Sequence, residues 1–283
     1  MSTPRTALLA LSLLLACPGG ALAGDREEPF TQIRAIAELG FLSPLSHTIQ
    51  YGKQGTSFDY VDEGGQDNLF LFLRLSAELE LDARHTIILL YQPLELRSAV
   101  RLRRDVVIDE ETFRRGTPLD LRYFFDFYRI SYLYDLLGHR ARHELSLGVS
   151  LQIRNAAISF TSADGGQRRS FSNIGPVPLL KARGRYTFGC GVWLEGEADF
   201  MYAPVKYING GDSDVEGALF DINLRAGLPV FRASNVFLNL RYLAGGAEGT
   251  SPGPENVGDG FTANWLHFLT LSVGGQLELM DLL

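Results

Sequence analysis

Apolar and polar residues alternate with period two through most of the chain, the pattern of β-strands with one face in each kind of environment. The most regular stretch is Leu180–Tyr202. In its first half Lys181, Arg183 and Arg185 interleave with Leu180, Ala182, Gly184 and Tyr186. In its second half Glu195, Glu197 and Asp199 interleave with Leu194, Gly196, Ala198 and Phe200. Gly189-Cys190-Gly191 between them suits a tight hairpin turn. Folding about Cys190 sets Lys181 opposite Asp199, Arg183 opposite Glu197 and Arg185 opposite Glu195. Three matched pairs on one face favour that register and disfavour a slip.

The same alternation predicts ten strands. They cover Ile33–Phe41, Asn68–Leu81, His85–Val107, Leu119–Tyr134, His143–Phe160, the two arms of the hairpin, Asp214–Leu228, Asn235–Ala244 and Trp265–Leu279. Pro93 cannot donate to a ladder, which places a bulge inside the third. In that strand Leu94 and Leu96 belong to the apolar face and Glu95 and Arg97 to the polar one. In the fourth, Tyr123, Phe125 and Phe127 are expected outward and Arg122 and Asp126 inward, with a change of parity near Arg129. On the polar faces stand Arg74, Glu78, Glu80, Glu95, Arg97, Arg122, Asp126, Arg154, Asp221, Arg225 and Arg241, with the six hairpin charges. All are expected to form one interior network, closing the lumen of a barrel only slightly wider than one that side chains alone can fill.

Connections alternate in length, roughly three to eight residues after the even-numbered strands and roughly ten or more after the odd ones. With aromatics at strand ends, this pattern resembles small bacterial outer-membrane barrels as a class. The resemblance implies a transmembrane antiparallel up-and-down β-barrel of about ten strands, with short periplasmic turns, long extracellular loops and its charges inside. It implies outer-membrane lipid and lipopolysaccharide as partners. The competing soluble sandwich or lipocalin-like barrel would turn the apolar faces inward.

Residues 1–23 read as a cleaved signal peptide: Arg5, the apolar run Ala7–Ala16, and Ala21-Leu22-Ala23 as the cleavage site. A rival lipoprotein site at Cys17 stays open. Residues 24–283 then form the barrel. The 283-residue chain carries a net charge of −7, and loss of Arg5 makes it −8, which argues against a nucleic-acid partner. In the processed chain Cys190 is the one cysteine, excluding an intramolecular disulfide and a cysteine-based metal cluster. After the leader no apolar run approaches the ~20 residues of a membrane helix.

Catalytic chemistry has little purchase. Omptin proteases, similar in strand number, use paired carboxylates and a His-Asp pair at the outer rim, and no matching motif stands here. His47, with Ser43, Ser46, Asp59 and Asp62 nearby, is a candidate site for the alternative, a barrel hydrolase acting on lipid or peptide. His85, His139 and His143 fall at the short-turn rim, and His267 on the lipid-facing parity beside Trp265. The loop Asn209–Glu216 has oxygen ligands in calcium-like spacing without the full motif. No catalytic residue, metal or cofactor is assigned, and the oligomeric state stays open. The function expected is a structural or interaction role, or a narrow path for small solutes.

Overall fold

The computed structural model describes residues 31–138, 143–204, 214–251 and 258–279. The leader with Cys17, His139 and most of the Asn209–Glu216 loop lie outside them.

Ten wall strands form one antiparallel sheet that closes on itself. They are β1 (Thr31–Tyr51), β3 (Phe70–Leu81), β4 (His85–Gln92) continued by β5 (Glu95–Arg101), β8 (Pro118–Asp135), β9 (His143–Ser162), β10 (Arg168–Thr187), β11 (Trp193–Pro204), β12 (Glu216–Phe231), β13 (Ser234–Thr250) and β14 (Phe261–Leu279). Short strands β2 (Phe58–Asp59), β6 (Val106–Ile108) and β7 (Glu111–Phe113) lie in the long loops. Neighbours in sequence are neighbours in space, and β14 pairs with β1 from Ile33↔Leu279 to Tyr51↔Thr262. Closure leaves no first or last edge to satisfy in lipid. The β10–β11 hairpin adopts the register its charges specify, with Lys181↔Asp199, Arg183↔Glu197 and Arg185↔Glu195. Gly191, at φ +85°, takes the left-handed position of its turn.

The strands outrun the membrane, and this decides which way side chains face. On β9, Leu145, Leu147, Val149, Leu151 and Ile153 point outward, and the same face continues as Asn155, Ala157, Ser159 and Thr161. The inner face changes in the opposite sense, from Ser146, Ser150 and Gln152 to Ala156, Ile158 and Phe160. A strand of constant parity thus passes from lipid outside and polar inside to water outside and apolar inside. The outward apolar run of β9 makes a girdle on the order of 25 Å tall, the height such barrels show.

This inversion corrects three expectations. The β8–β9 register is unbroken from Leu119↔Ser162 to Asp135↔Ser146, so there is no parity change near Arg129. Tyr123, Phe125 and Phe127 face inward and are buried, and Leu94 and Leu96 join them. Glu95, Arg97 and Arg122 do not enter the lumen. They pair with one another on the outer surface, with side chains 33%, 70% and 44% exposed. Asp126 also sits on the outward parity, beside the Tyr128 hydroxyl that donates to it at 3.5 Å. Pro93 interrupts the hydrogen-bonded strand without the expected bulge: the register against β8 runs on from Gln92↔Phe127 to Glu95↔Phe124, so Leu94 and Leu96 keep the inward parity of Ile88 and Gln92.

The long loops fold onto the outer end. Arg104 Nε and Nη2 each donate at 2.7 Å to the Glu63 carboxylate, clipping one loop to another. That guanidinium holds the Glu63 carboxyl below its ordinary range.

Candidate functional site: a three-layer lumen

The lumen is filled in three layers. The lowest, nearest the short turns, is Ile36, Trp193 and Phe237, all buried. Two glycines make room for the rings. A Cβ on Gly274 would lie 2.1 Å from Phe237 Cζ, and one on Gly227 would lie 2.3 Å from Trp193 Cζ2. The guanidinium of Arg185 lies 4.0 Å from the Trp193 ring centroid, where charge meets the negative face of the indole.

The middle layer is ionic. Eight cations (Arg34, Arg74, Arg129, Lys181, Arg183, Arg185, Arg225, Arg241) pair with eight carboxylates (Glu38, Glu78, Glu80, Glu144, Glu195, Glu197, Asp199, Asp221), so these described pairs balance to zero charge. Contacts cross the barrel as well as following its wall. Arg183 on β10 reaches Glu78 on β3 at 3.2 Å, and Arg225 on β12 reaches Glu38 on β1 at 3.2 Å. Arg129 on β8 joins Asp199 at 2.7 Å and Asp221 at 3.0 Å. Arg241 donates to Asp221 through Nε at 2.6 Å and Nη2 at 2.9 Å, and to Gln92 of β4 at 2.7 Å. Ser272 of β14 donates to Glu38, so all ten wall strands contribute. Arg74, Asp199 and Asp221 are 2%, 0% and 0% exposed. Buried charges are tolerated when paired and hydrogen-bonded, and removing one partner is costly.

Of the hairpin ladder, Lys181–Asp199 closes at 2.9 Å and Arg185–Glu195 at 3.7 Å. Arg183 instead turns to Glu78 and Glu144, while Glu197 takes Lys181 and Arg74. Arg74, Asp221, Arg225 and Arg241 lie in the network, whereas Glu95, Arg97, Arg122 and Asp126 stand outside it. Arg34, Glu38 and Arg129 were not singled out from sequence. The alternation of Arg34, Ile36 and Glu38 with Ala35, Ala37 and Leu39 carried that signal for β1.

The outer layer is an apolar core that includes Leu42, Phe58, Tyr60, Phe72, Leu96, Tyr123, Phe125, Phe160 and Phe268. His47 sits within it, fully buried, its Nδ1–H donating to Gln66 Oε1 at 2.8 Å and its ring stacked on Tyr60 at 4.5 Å. Burial pushes the Tyr60 hydroxyl well above its ordinary range. The candidate hydrolytic grouping is not assembled: His47 faces the core, Ser43 and Ser46 take the opposite, outward parity, and the Asp59 carboxylate accepts from the Val61 and Asp62 backbone N–H groups. The other described histidines with side-chain hydrogen bonds bond to tyrosines, His85 to Tyr132 and His267 to Tyr242.

No protein-family model matches the chain, and no curated protein matches it. Solved structures do. The outer membrane protease OmpT from Escherichia coli matches over 93% of this chain and 100% of its own, at 12% identity and a TM-score of 0.50. A FadL homologue from Pseudomonas aeruginosa covers 88% of this chain and 90% of its own, at 8% identity and TM-score 0.38. OprG from the same organism covers 88% and 97%, at 9% and 0.35. Such identities carry the fold alone. A closed ten-stranded barrel with an apolar girdle and a charged interior makes this chain a bacterial outer-membrane β-barrel protein.

Proposed function

We propose that this protein is a sealed outer-membrane barrel with a structural or interaction role, rather than a path for solutes. The observation that carries the reading is the filled lumen: an aromatic floor, a charge-balanced middle and an apolar outer core. A diffusion channel needs a continuous wetted route, and a selective one usually presents a ring of one sign. The described ion pairs of the lumen are matched in sign and largely buried. The outer surface, with its clipped loops and the exposed Glu95–Arg97–Arg122 group, then serves as the face offered to partners. Reconstituted in a planar bilayer in concentrated potassium chloride, the protein is expected to give no steady single-channel conductance, and liposomes containing it should not swell in small sugars. A large, sustained conductance overturns this reading.

A further inference from the structure

The wall forks between β10 and β11. Their ladder stops at Leu180↔Phe200. On its other edge β10 stays paired with β9 all the way to Arg168↔Thr161, past Pro176 and Pro178. Neither proline has an N–H to give, so both suit a strand edge with no ladder to form. β11 meanwhile stays with β12 up to Pro204↔Glu216. Among the described residues, β10 from Arg168 to Leu179 therefore has one strand neighbour where a wall strand has two.

Two features meet at this fork. The first is a groove of about 640 Å³ with a mostly apolar lining that includes Leu151, Pro178, Leu180, Phe200 and Tyr202. It opens on the girdle, where the protein faces lipid. The second is Arg154 on β9, inside the barrel and opposite Gly175 of β10. Its guanidinium donates to Asn173 on β10. Unlike the eight cations of the ionic layer, Arg154 pairs with no carboxylate among the described residues, and its Nε is buried without a partner. A Cβ at Gly175 would meet nothing within 4 Å, so open space lies beside that guanidinium. Arg154 lies three residues, about 10 Å, along β9 from Leu151 of the groove.

We infer that the fork binds a single-chain anionic amphiphile, a long-chain carboxylate, with its chain in the apolar groove and its head group on Arg154. A half-buried guanidinium with no carboxylate partner among the described residues is complementary to a carboxylate, which it engages by charge-assisted hydrogen bonds. The groove has the volume of a site for one small ligand, within the usual range of about 300–1,000 Å³. That holds one acyl chain rather than the several chains of a lipopolysaccharide. The apolar lining faces the phase from which such a molecule would arrive.

The test uses the purified full-length barrel in detergent and a fluorescent polyene fatty acid as probe. Palmitate is expected to displace the probe about tenfold or more better than hexadecanol, because only the carboxylate gains the guanidinium. Arg154→Gln should abolish that preference while leaving hexadecanol displacement unchanged. Gly175→Phe, filling the space beside Arg154, should weaken palmitate without touching the charge. Heat-dependent gel migration shows whether each variant is folded. If neither folds, the palmitate-to-hexadecanol ratio of the wild type decides alone. Absence of probe binding, equal displacement by the two ligands, an undiminished preference in folded Arg154→Gln, or displacement by lipopolysaccharide but not palmitate each overturn the inference.

Discussion

Asp221 offers the sharpest test of the ionic layer. Its carboxylate is fully buried and accepts three guanidinium N–H groups, two from Arg241 at 2.6 and 2.9 Å and one from Arg129 at 3.0 Å. Asp221→Leu leaves Arg129 with Asp199 and Gln152, but leaves Arg241 with Gln92 as its remaining side-chain partner in the layer. Two unit charges about 4 Å apart at an effective dielectric of about 20 attract by about 4 kcal/mol. Breaking a buried pair from one side costs a similar 3–5 kcal/mol or so. Arg241→Met strips Asp221 of two of its three guanidinium donors and should cost a comparable amount. The double variant replaces both charges with apolar groups, so its loss should fall short of the sum by roughly 2–3 kcal/mol. The measurement is guanidinium chloride unfolding in micelles or thin-bilayer vesicles, followed by tryptophan fluorescence. Losses that add to within about 0.5 kcal/mol would mean the two side chains are uncoupled and the reasoning is wrong.

Two further outcomes follow from the faces and the floor. Leu147→Arg, in the girdle, should lower stability by about 2–4 kcal/mol, whereas Thr161→Arg on the same outward face, above the girdle, should change it by less than about 0.5 kcal/mol; equal losses in an unfolding titration would move the membrane boundary. Gly274→Ala places a methyl carbon 2.1 Å from Phe237 Cζ and should cost roughly 1–3 kcal/mol. Phe237→Leu in the same chain should recover part of that, and failure to recover any would show that the glycine is required for another reason.

Much of this protein is legible one strand at a time. Alternation in Asn68–Leu81 and His143–Ile153 shows two faces, and the glycine-flanked turn with three opposite-sign pairs sets the β10–β11 register, because cross-strand pairing is local. Alternation does not say which medium each face meets. Leu94, Leu96, Tyr123, Phe125 and Phe127 look like lipid-facing residues in sequence, yet they pack inside, because β5 and the start of β8 stand above the membrane where water lies outside. Their charged neighbours Glu95, Arg97 and Arg122 face outward for the same reason.

The ionic partners were also beyond sequence. Arg183 lies opposite Glu197 in the ladder, but barrel closure brings Glu78, 105 residues away in the chain, within reach of its guanidinium. Arg129 joins Asp199 and Asp221 by the same route, across chain separations of 70 and 92 residues. A strand's own pattern sets which side of the wall a residue occupies. Which residues meet inside, and where water gives way to lipid, depends on how ten strands tilt and close, and no single segment contains that information.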